Sequence, residues 1–337
     1  MTPSHAHSAK LGALRLGLRL AALRVLAWLL RRELIVVALL EHFGDIVACE
    51  PVVGHLRRQH RRPWLVWICR PGYAELVRHH PGIDFVATVP CLTSWIIARR
   101  YRLAHQQVDL HVNGRSCPVC LRALENDAAP GITLANYYSF GSLQRAFTLA
   151  AGLPALDEAP SLHFPADIDL RLAALAVPRD CIVFHGKSNE AARDWPLDRW
   201  LPLLRQISAR HRIPIIEVGL ASVLPPGESG VINLCGRLSL LETARVIQRA
   251  RLFVGIDSGP AQLANAARCE SVILLGNYRG FGAYMPYSGF FPSGGATILR
   301  TAGDLALLSV DEVASAIGQR LAKPAQPAAT PLARCPA

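Results

Sequence analysis

The chain lacks an apolar run long enough to cross a bilayer. Its Leu- and Ala-rich stretch from Leu11 to Leu30 is broken by Arg15, Arg19 and Arg24, whereas a spanning helix needs about 20 consecutive apolar residues. No small-residue cleavage site follows, which argues against a secretory signal. There is no Asp-x-Asp pair beside a strand-like run, so no carboxylate-held divalent ion is expected at a diphosphate. Helix-turn-helix, zinc-finger and RNA-binding signatures are absent, and the arginines are scattered rather than bunched. Those absences exclude a nucleic-acid partner. Internal repeats are absent too, and lysine is scarce: 3 residues among 36 cations.

The remaining composition is that of a globular chain. At 337 residues and 51% hydrophobic it can bury two ordinary cores. The net charge of +11, carried by arginine, favours anionic partners such as nucleotides, phosphorylated glycans or an acidic membrane surface. Nine cysteines, odd in number and irregular in spacing, indicate a reducing compartment rather than a disulfide scaffold. Cys117-Pro-Val-Cys120 has no second CxxC and no His-x-x-x-His at finger spacing, so it reads as two loop thiols and no metal site is expected.

Apolar runs alternate with helical patterns along the whole chain. Strands are expected at 33–40, 64–69, 85–89 and 108–112, and again at 181–184, 213–218, 231–234, 252–256, 271–275 and 297–300. Continuous apolar strands separated by helices define parallel sheets covered on both faces. The Pro-, Ala- and Asp-rich stretch 152–178 divides two such series. The expected organisation is a basic N-terminal helix (1–32), a first Rossmann-like domain (33–165), a second (179–322) and a loose tail (323–337). Two readings of the N-terminal helix stay open: an element packed on the first domain, and a helix lying on an anionic membrane surface.

The stretch 249–267, RARLFVGIDSGPAQLANAA, carries the clearest chemistry. A buried strand stops at Asp257-Ser258-Gly259-Pro260 and a small-residue helix begins. Such a turn offers free backbone N–H groups and a helix dipole to an anion. Gly259 allows close approach, and Ser258 is placed to cap the helix. Ser188 and the cations Lys187 and Arg193 follow a strand ending near His185. Asp45 lies between the first strand and its helix, where a carboxylate serves either as N-cap or as general base.

Four blocks, Glu41–Arg57, Phe184–Leu204, Val231–Ala250 and Arg249–Ala267, together resemble glycosyltransferase family 9, the ADP-heptose–lipopolysaccharide heptosyltransferases. The resemblance runs from about residue 34 to about residue 320 and leaves the N-terminal helix uncovered. It implies a GT-B arrangement, two Rossmann-like domains facing a cleft, and an inverting, metal-independent transfer of a heptose-like sugar. The donor is a nucleotide-diphosphate sugar, ADP-heptose among the candidates, with no further cofactor. The acceptor is a lipid-linked glycan, lipopolysaccharide or a related one. The implied setting is the cytoplasm, with peripheral attachment to the inner face of the membrane. Asp45 takes the role of general base. Lys187, Ser188, Arg193, Asp257, Ser258 and Gly259 hold the donor phosphates, and Gly44, His185, Gln262 and Arg279 are further candidate contacts. Three positions depart from the family pattern: Arg193 replaces Lys, Gln262 replaces His, and Ala221 stands where a carboxylate is frequent. Two rival functions fit the same residues: an epimerase-like nucleotide-sugar enzyme, and a non-catalytic membrane-peripheral scaffold.

Overall fold

A computed structural model describes residues 3–323, apart from 226, 229, 282 and 283. The chain opens with α1 (Pro3–Leu29), then β1 (Glu33–Ala38), α2 (Phe43–Ala48), α3 (Val52–Gln59), β2 (Pro63–Cys69), α4 (Ala74–Arg78), β3 (Phe85–Thr88), α5 (Leu92–Ala98) and β4 (Gln106–Asp109). After a long loop come α6 (Leu143–Ala150) and α7 (Ile168–Ala174). The second series is β5 (Ile182–His185), α8 (Leu197–His211), β6 (Ile215–Glu217), β7 (Val231–Asn233), α9 (Leu240–Arg249), β8 (Leu252–Ile256), α10 (Gly259–Ala266), β9 (Ser271–Leu275), β10 (Ala296–Arg300) and α11 (Val310–Leu321).

Both sheets are parallel throughout. The first has the order β3-β2-β1-β4 and the second β10-β9-β8-β5-β6-β7. Read from the other edge, the second is the 3-2-1-4-5-6 order of the dinucleotide-binding fold. Two departures from the sequence expectation have identifiable physical causes. The single helix that the sequence suggests over 49–58 starts only at Val52, after Pro51, and a separate short helix, α2, precedes it at Phe43–Ala48; Pro51 has no N–H with which to join the two. The stretch 152–178 contains α7, which Asp169 ties to α9 through Arg245 (2.7 Å) and Arg249 (2.6 Å). The tail beyond Lys323 lies outside the described residues.

Alternation along β1 divides the first core. Ile35, Val37 and Leu39 join an apolar cluster that runs without a break into the second domain through Val183, Ile216 and Phe253. Leu34, Val36, Ala38 and Leu40 point the other way and meet α1 and α5. Helix α1 is therefore packed: Ala9, Ala13, Leu16, Leu20 and Ala27 are buried at helical spacing. Its opposite face leaves Leu11, Leu14, Leu18, Val25, Trp28 and Leu29 in solvent, with Leu18 64% and Trp28 74% exposed. Both readings of this segment thus retain an observation in their favour.

Glu50 docks the connection between the sheets. Its carboxylate accepts the Ser161 N–H at 2.8 Å, bonds His80 Nε2 at 2.6 Å and lies 3.6 Å from His163 Nε2. Burial alone would raise its pKa, but the bonds from His163 and His80, the charge of His80 and the Ser161 amide bring it down to about 2. The folded value lies below the unfolded one. The resulting stability, on the order of 2–3 kcal/mol, is present above the unfolded pKa of ~4.3 and is lost as pH falls toward 2. Glu50→Gln should lower the melting temperature at pH 7 and flatten its fall between about pH 5 and 2.5. Parallel acid limbs in mutant and wild type, followed by circular dichroism, would refute this coupling.

Candidate active site at the two switch points

In open parallel sheets ligands bind beyond the carboxyl ends of the strands where the strand order reverses. That reversal falls between β1 and β4 in the first sheet and between β5 and β8 in the second. The segments leaving these four strands carry Asp45, Arg115, the 187–193 loop and Asp257, so topology alone directs them to one region.

Two glycines set how closely the halves approach. A Cβ on Gly44 would lie 3.1 Å from the Gly259 Cα and 3.4 Å from Gln262 Cγ, and one on Gly259 would lie 2.1 Å from the Phe43 ring. The first turn of α2 therefore rests directly on the first turn of α10. Asp45 is the third residue of α2, and the N-cap position belongs to His42. The capping role left open by the sequence is thus not the one adopted. Asp45 is 8% exposed, and its Oδ2 has no hydrogen-bond partner. The nearest cation is Arg115, whose Nη2 lies 3.7 Å away. Sequence reading missed Arg115, although its place just after the fourth strand was a usable signal.

On the second domain Asp257 is buried and bonded to Arg193 Nη1 at 3.2 Å and Tyr287 OH at 3.2 Å. Burial pushes the Asp257 carboxyl up, Arg193 and Tyr287 oppose that, and the charge of Asp45 adds to it. Arg193 also stacks 4.8 Å from the Tyr278 ring centroid, and Arg279 sits 5.1 Å from the same ring and bonds Glu190 at 3.0 Å. Both guanidiniums are held in place from behind. Lys187, on the same loop as Arg193, is exposed.

The remaining expected contacts behave differently. The Ser258 hydroxyl donates to the Ile256 carbonyl at 3.2 Å and does not cap α10, contrary to expectation. The first helical bond runs from the Gln262 N–H to the Ser258 carbonyl, which leaves the Gly259 and Ala261 amides to an incoming group. Ser188 Oγ bonds the Glu190 carbonyl and shapes its loop. His185 is buried, and its Nδ1 lies 2.8 Å from the Val218 carbonyl; burial holds its pKa down, so it packs as a neutral ring. Gln262 Nε2 bonds the Pro286 carbonyl at 3.3 Å, while its buried Oε1 is unpartnered.

Two buried acids unforeseen in the sequence shape the surrounding loops. Glu217 accepts the Val223 N–H at 2.7 Å and a bond from Ser222, ordering the turn that carries Ala221. Asp109 accepts from Trp95 Nε1 at 2.8 Å and from His111 Nδ1 at 2.6 Å. His111 Nε2 then accepts the Leu40 N–H at 3.0 Å, fixing the chain that leads into Asp45. Between the domains Tyr138 packs against Tyr284 (4.5 Å), Phe281 (5.1 Å) and Tyr278 (6.1 Å).

Two parallel α/β sheets meeting at their switch points, with acids and cations converging there, form the GT-B arrangement of two Rossmann-like domains. Residues 142–280 match the family model of glycosyltransferase family 9 (heptosyltransferase), and this match supports a glycosyltransferase. No curated protein matches the sequence. Among solved structures it is similar to the Escherichia coli ADP-heptose LPS heptosyltransferase II, at 14% identity, covering 86% of this chain and 98% of that one, with a TM-score of 0.65. It is also similar to the E. coli heptosyltransferase WaaC solved with ADP-2-deoxy-2-fluoro heptose (17% identity, 85% and 99% covered, TM-score 0.56). A third is TibC of enterotoxigenic E. coli, described as an iron-containing dodecameric glycosyltransferase (13% identity, 86% and 76% covered, TM-score 0.61). At these identities the likeness is one of fold.

The glycine contact makes a specific prediction. Gly259→Ala should force the α2 and α10 turns apart and destabilise by roughly 1–3 kcal/mol, the usual cost of overpacking. Adding Phe43→Leu should recover part of the loss in thermal denaturation. A neutral Gly259→Ala, or no recovery in the double variant, would show that the halves are not in this contact.

Proposed function

We propose that this glycosyltransferase transfers a heptose-like sugar, with inversion and without a catalytic metal, from a nucleotide-diphosphate donor to a lipopolysaccharide-type glycan. The observation that carries the reading is Asp45: a buried carboxylate with an unpartnered oxygen, opposite the cations that would meet a diphosphate. In this reading Asp45 Oδ2 takes the proton from an acceptor hydroxyl. The hydroxyl oxygen attacks the anomeric carbon as the bond to the diphosphate breaks on the opposite face. Lys187, Arg193, Arg279 and the Gly259 and Ala261 amides meet the charge that develops on the leaving group. Arg193 would then divide its donors between Asp257 and phosphate, and Arg115 would hold the acceptor side of Asp45.

ADP-heptose is the first donor to test, because WaaC was solved with an analogue of it. The iron of TibC belongs to that protein. For this chain the support for metal-free transfer is the cation set itself. Neither cluster of metal-ligating side chains among the described residues contains Asp45 or Asp257. The donor would sit mainly on the second domain (179–322) and the acceptor on the first (33–165).

A membrane-bound acceptor fits the N-terminal helix. No described helix is long and apolar enough to cross a membrane. The solvent-facing stripe of α1, flanked by Lys10, Arg15 and Arg19, has the composition of a helix lying in an anionic interface. We place the working enzyme on the cytoplasmic face of the inner membrane.

Asp45→Asn should retain nucleoside-diphosphate binding by calorimetry and lower kcat by roughly 10²–10⁴ with the donor selected from ADP-, GDP-, UDP- and dTDP-sugars. Wild-type turnover should need no added Mg²⁺ or Mn²⁺. Full activity in Asp45→Asn, or strict dependence on an added divalent ion, would overturn the mechanism. Vesicles separate the membrane reading from it. The full chain should sediment with anionic vesicles in a salt-sensitive way, and Leu14→Glu/Leu18→Glu should abolish this. Equal sedimentation of the two proteins would reduce α1 to a packing element.

A further inference from the structure

The loop between β4 and α6 holds Cys117-Pro-Val-Cys120, and the fold brings two distant ligand-type residues to it. Cys91 comes from the start of α5 and His5 from the start of α1. The ligand atoms of His5, Cys91, Cys117 and Cys120 all lie within 4.8 Å of one another. Cys91 and Cys117 are buried, and every described cysteine is a free thiol. The Nε2 of His5 is buried without a hydrogen-bond partner.

The turn itself has the form of a thiolate ligand loop. The Cys120 N–H points at Cys117 Sγ (3.4 Å), the Leu121 N–H bonds the Cys117 carbonyl (2.8 Å) and the Cys117 N–H bonds the Arg122 carbonyl (3.1 Å). Leu121 holds a left-handed φ of 53° with its side chain 77% exposed. A leucine takes that conformation at a cost, and its own side chain recovers nothing by burial.

We propose that His5, Cys91, Cys117 and Cys120 bind one Zn²⁺ in a tetrahedral Cys₃His site. Zn–S bonds of about 2.3 Å and a Zn–N bond of about 2.0 Å set ligand separations near 3.5–3.8 Å, a small contraction of the observed cluster. Thiolate and imidazole together select zinc over the oxygen-seeking Mg²⁺ and Ca²⁺. Binding ionises three thiols, whose protons leave to solvent, and the site carries one net negative charge. Lys10 and Arg122 line the cavity of about 150 Å³ beside Cys120 and offset that charge. Four protein ligands leave no open position, so the ion is structural and takes no part in the transfer. It clamps α1 and the 113–124 loop to the corner between β3 and α5. Arg115, two residues before the first loop ligand, lies 3.7 Å from Asp45. The metal therefore holds the loop that brings this cation to the active site.

The test uses the full chain without an affinity tag, purified in reducing buffer with no added metal. Elemental analysis should find about one Zn²⁺ per chain, released by a mercurial thiol reagent. Cobalt exchanged into the site should give the intense thiolate-to-cobalt absorption of a tetrahedral site. Cys120→Ser should lose both the zinc and the cobalt band, whereas Cys235→Ser, in the second domain, should keep them. Folded wild-type protein with neither zinc nor a cobalt band would overturn the proposal without recourse to any variant. So would a Cys117–Cys120 disulfide found by mass spectrometry, or full zinc content in soluble Cys120→Ser.

Discussion

The approach of Gly44 to Gly259 is the constraint on which the rest of the candidate site depends. Two helices from different sheets can meet at their first turns only where neither carries a Cβ. Three features go with that contact. It brings Asp45 to the neighbourhood of Asp257, turns Gln262 into a buried residue of the junction, and lets the apolar cluster run from one sheet to the other. Parallel sheets alone would leave two half-sites. The glycine pair makes them one.

Charge placement follows the same economy. Two carboxylates, Asp45 and Asp257, are buried near one another, and the charge of Asp45 bears on Asp257, an arrangement that favours cations beside them. Arg193 meets that need on one side and Arg115 on the other. In the proposed transfer neither Arg193 nor Arg279 would need to be ordered by an incoming phosphate, because Asp257, Tyr278 and Glu190 already hold them. A preordered cation loses little side-chain entropy on binding, so in that proposal more of its electrostatic attraction would remain available to a departing diphosphate. This offers a physical reason for arginine where the family pattern has lysine at 193. A planar fork can bond a carboxylate and a phosphate together, which a single ammonium does less well.

Much of the fold was legible because the signal was continuous burial. Runs such as Leu252–Ile256 and Val272–Leu275 carry no polar side chain, and they coincide with strands buried at every position. What escaped was short or partnered at a distance. α7 was hidden in a polar stretch because its stability comes from Asp169 meeting Arg245 and Arg249, a contact no local window contains. Asp45 was visible as a residue at a strand–helix turn, but whether it capped the helix depended on where the first turn began. Arg115 acts through a partner 70 residues away, so only its place after the fourth strand pointed to it, and Glu217 acts through the tertiary geometry of the turn at Ser222 and Val223. The CxxC pair shows the same limit. Its companions lie 26 and more than 100 residues back in the sequence and reach it only through the packing of α1 on α5.

The N-terminal helix joins these levels. Its buried face is small, chiefly alanine and leucine, and lies against α5, whose first turn follows Cys91 and whose Trp95 bonds Asp109. Asp109 orients His111, and His111 holds the amide of Leu40 at the exit of β1. The same helix supplies His5 to the thiol cluster beside Arg115. Two routes therefore run from α1 toward Asp45, one through β1 and one through the 113–124 loop. An element outside the family pattern is thus packed into the support of the candidate base, while its opposite face is left apolar and edged with cations. A surface that engages that outer face would bear on α1 without touching the donor half of the site.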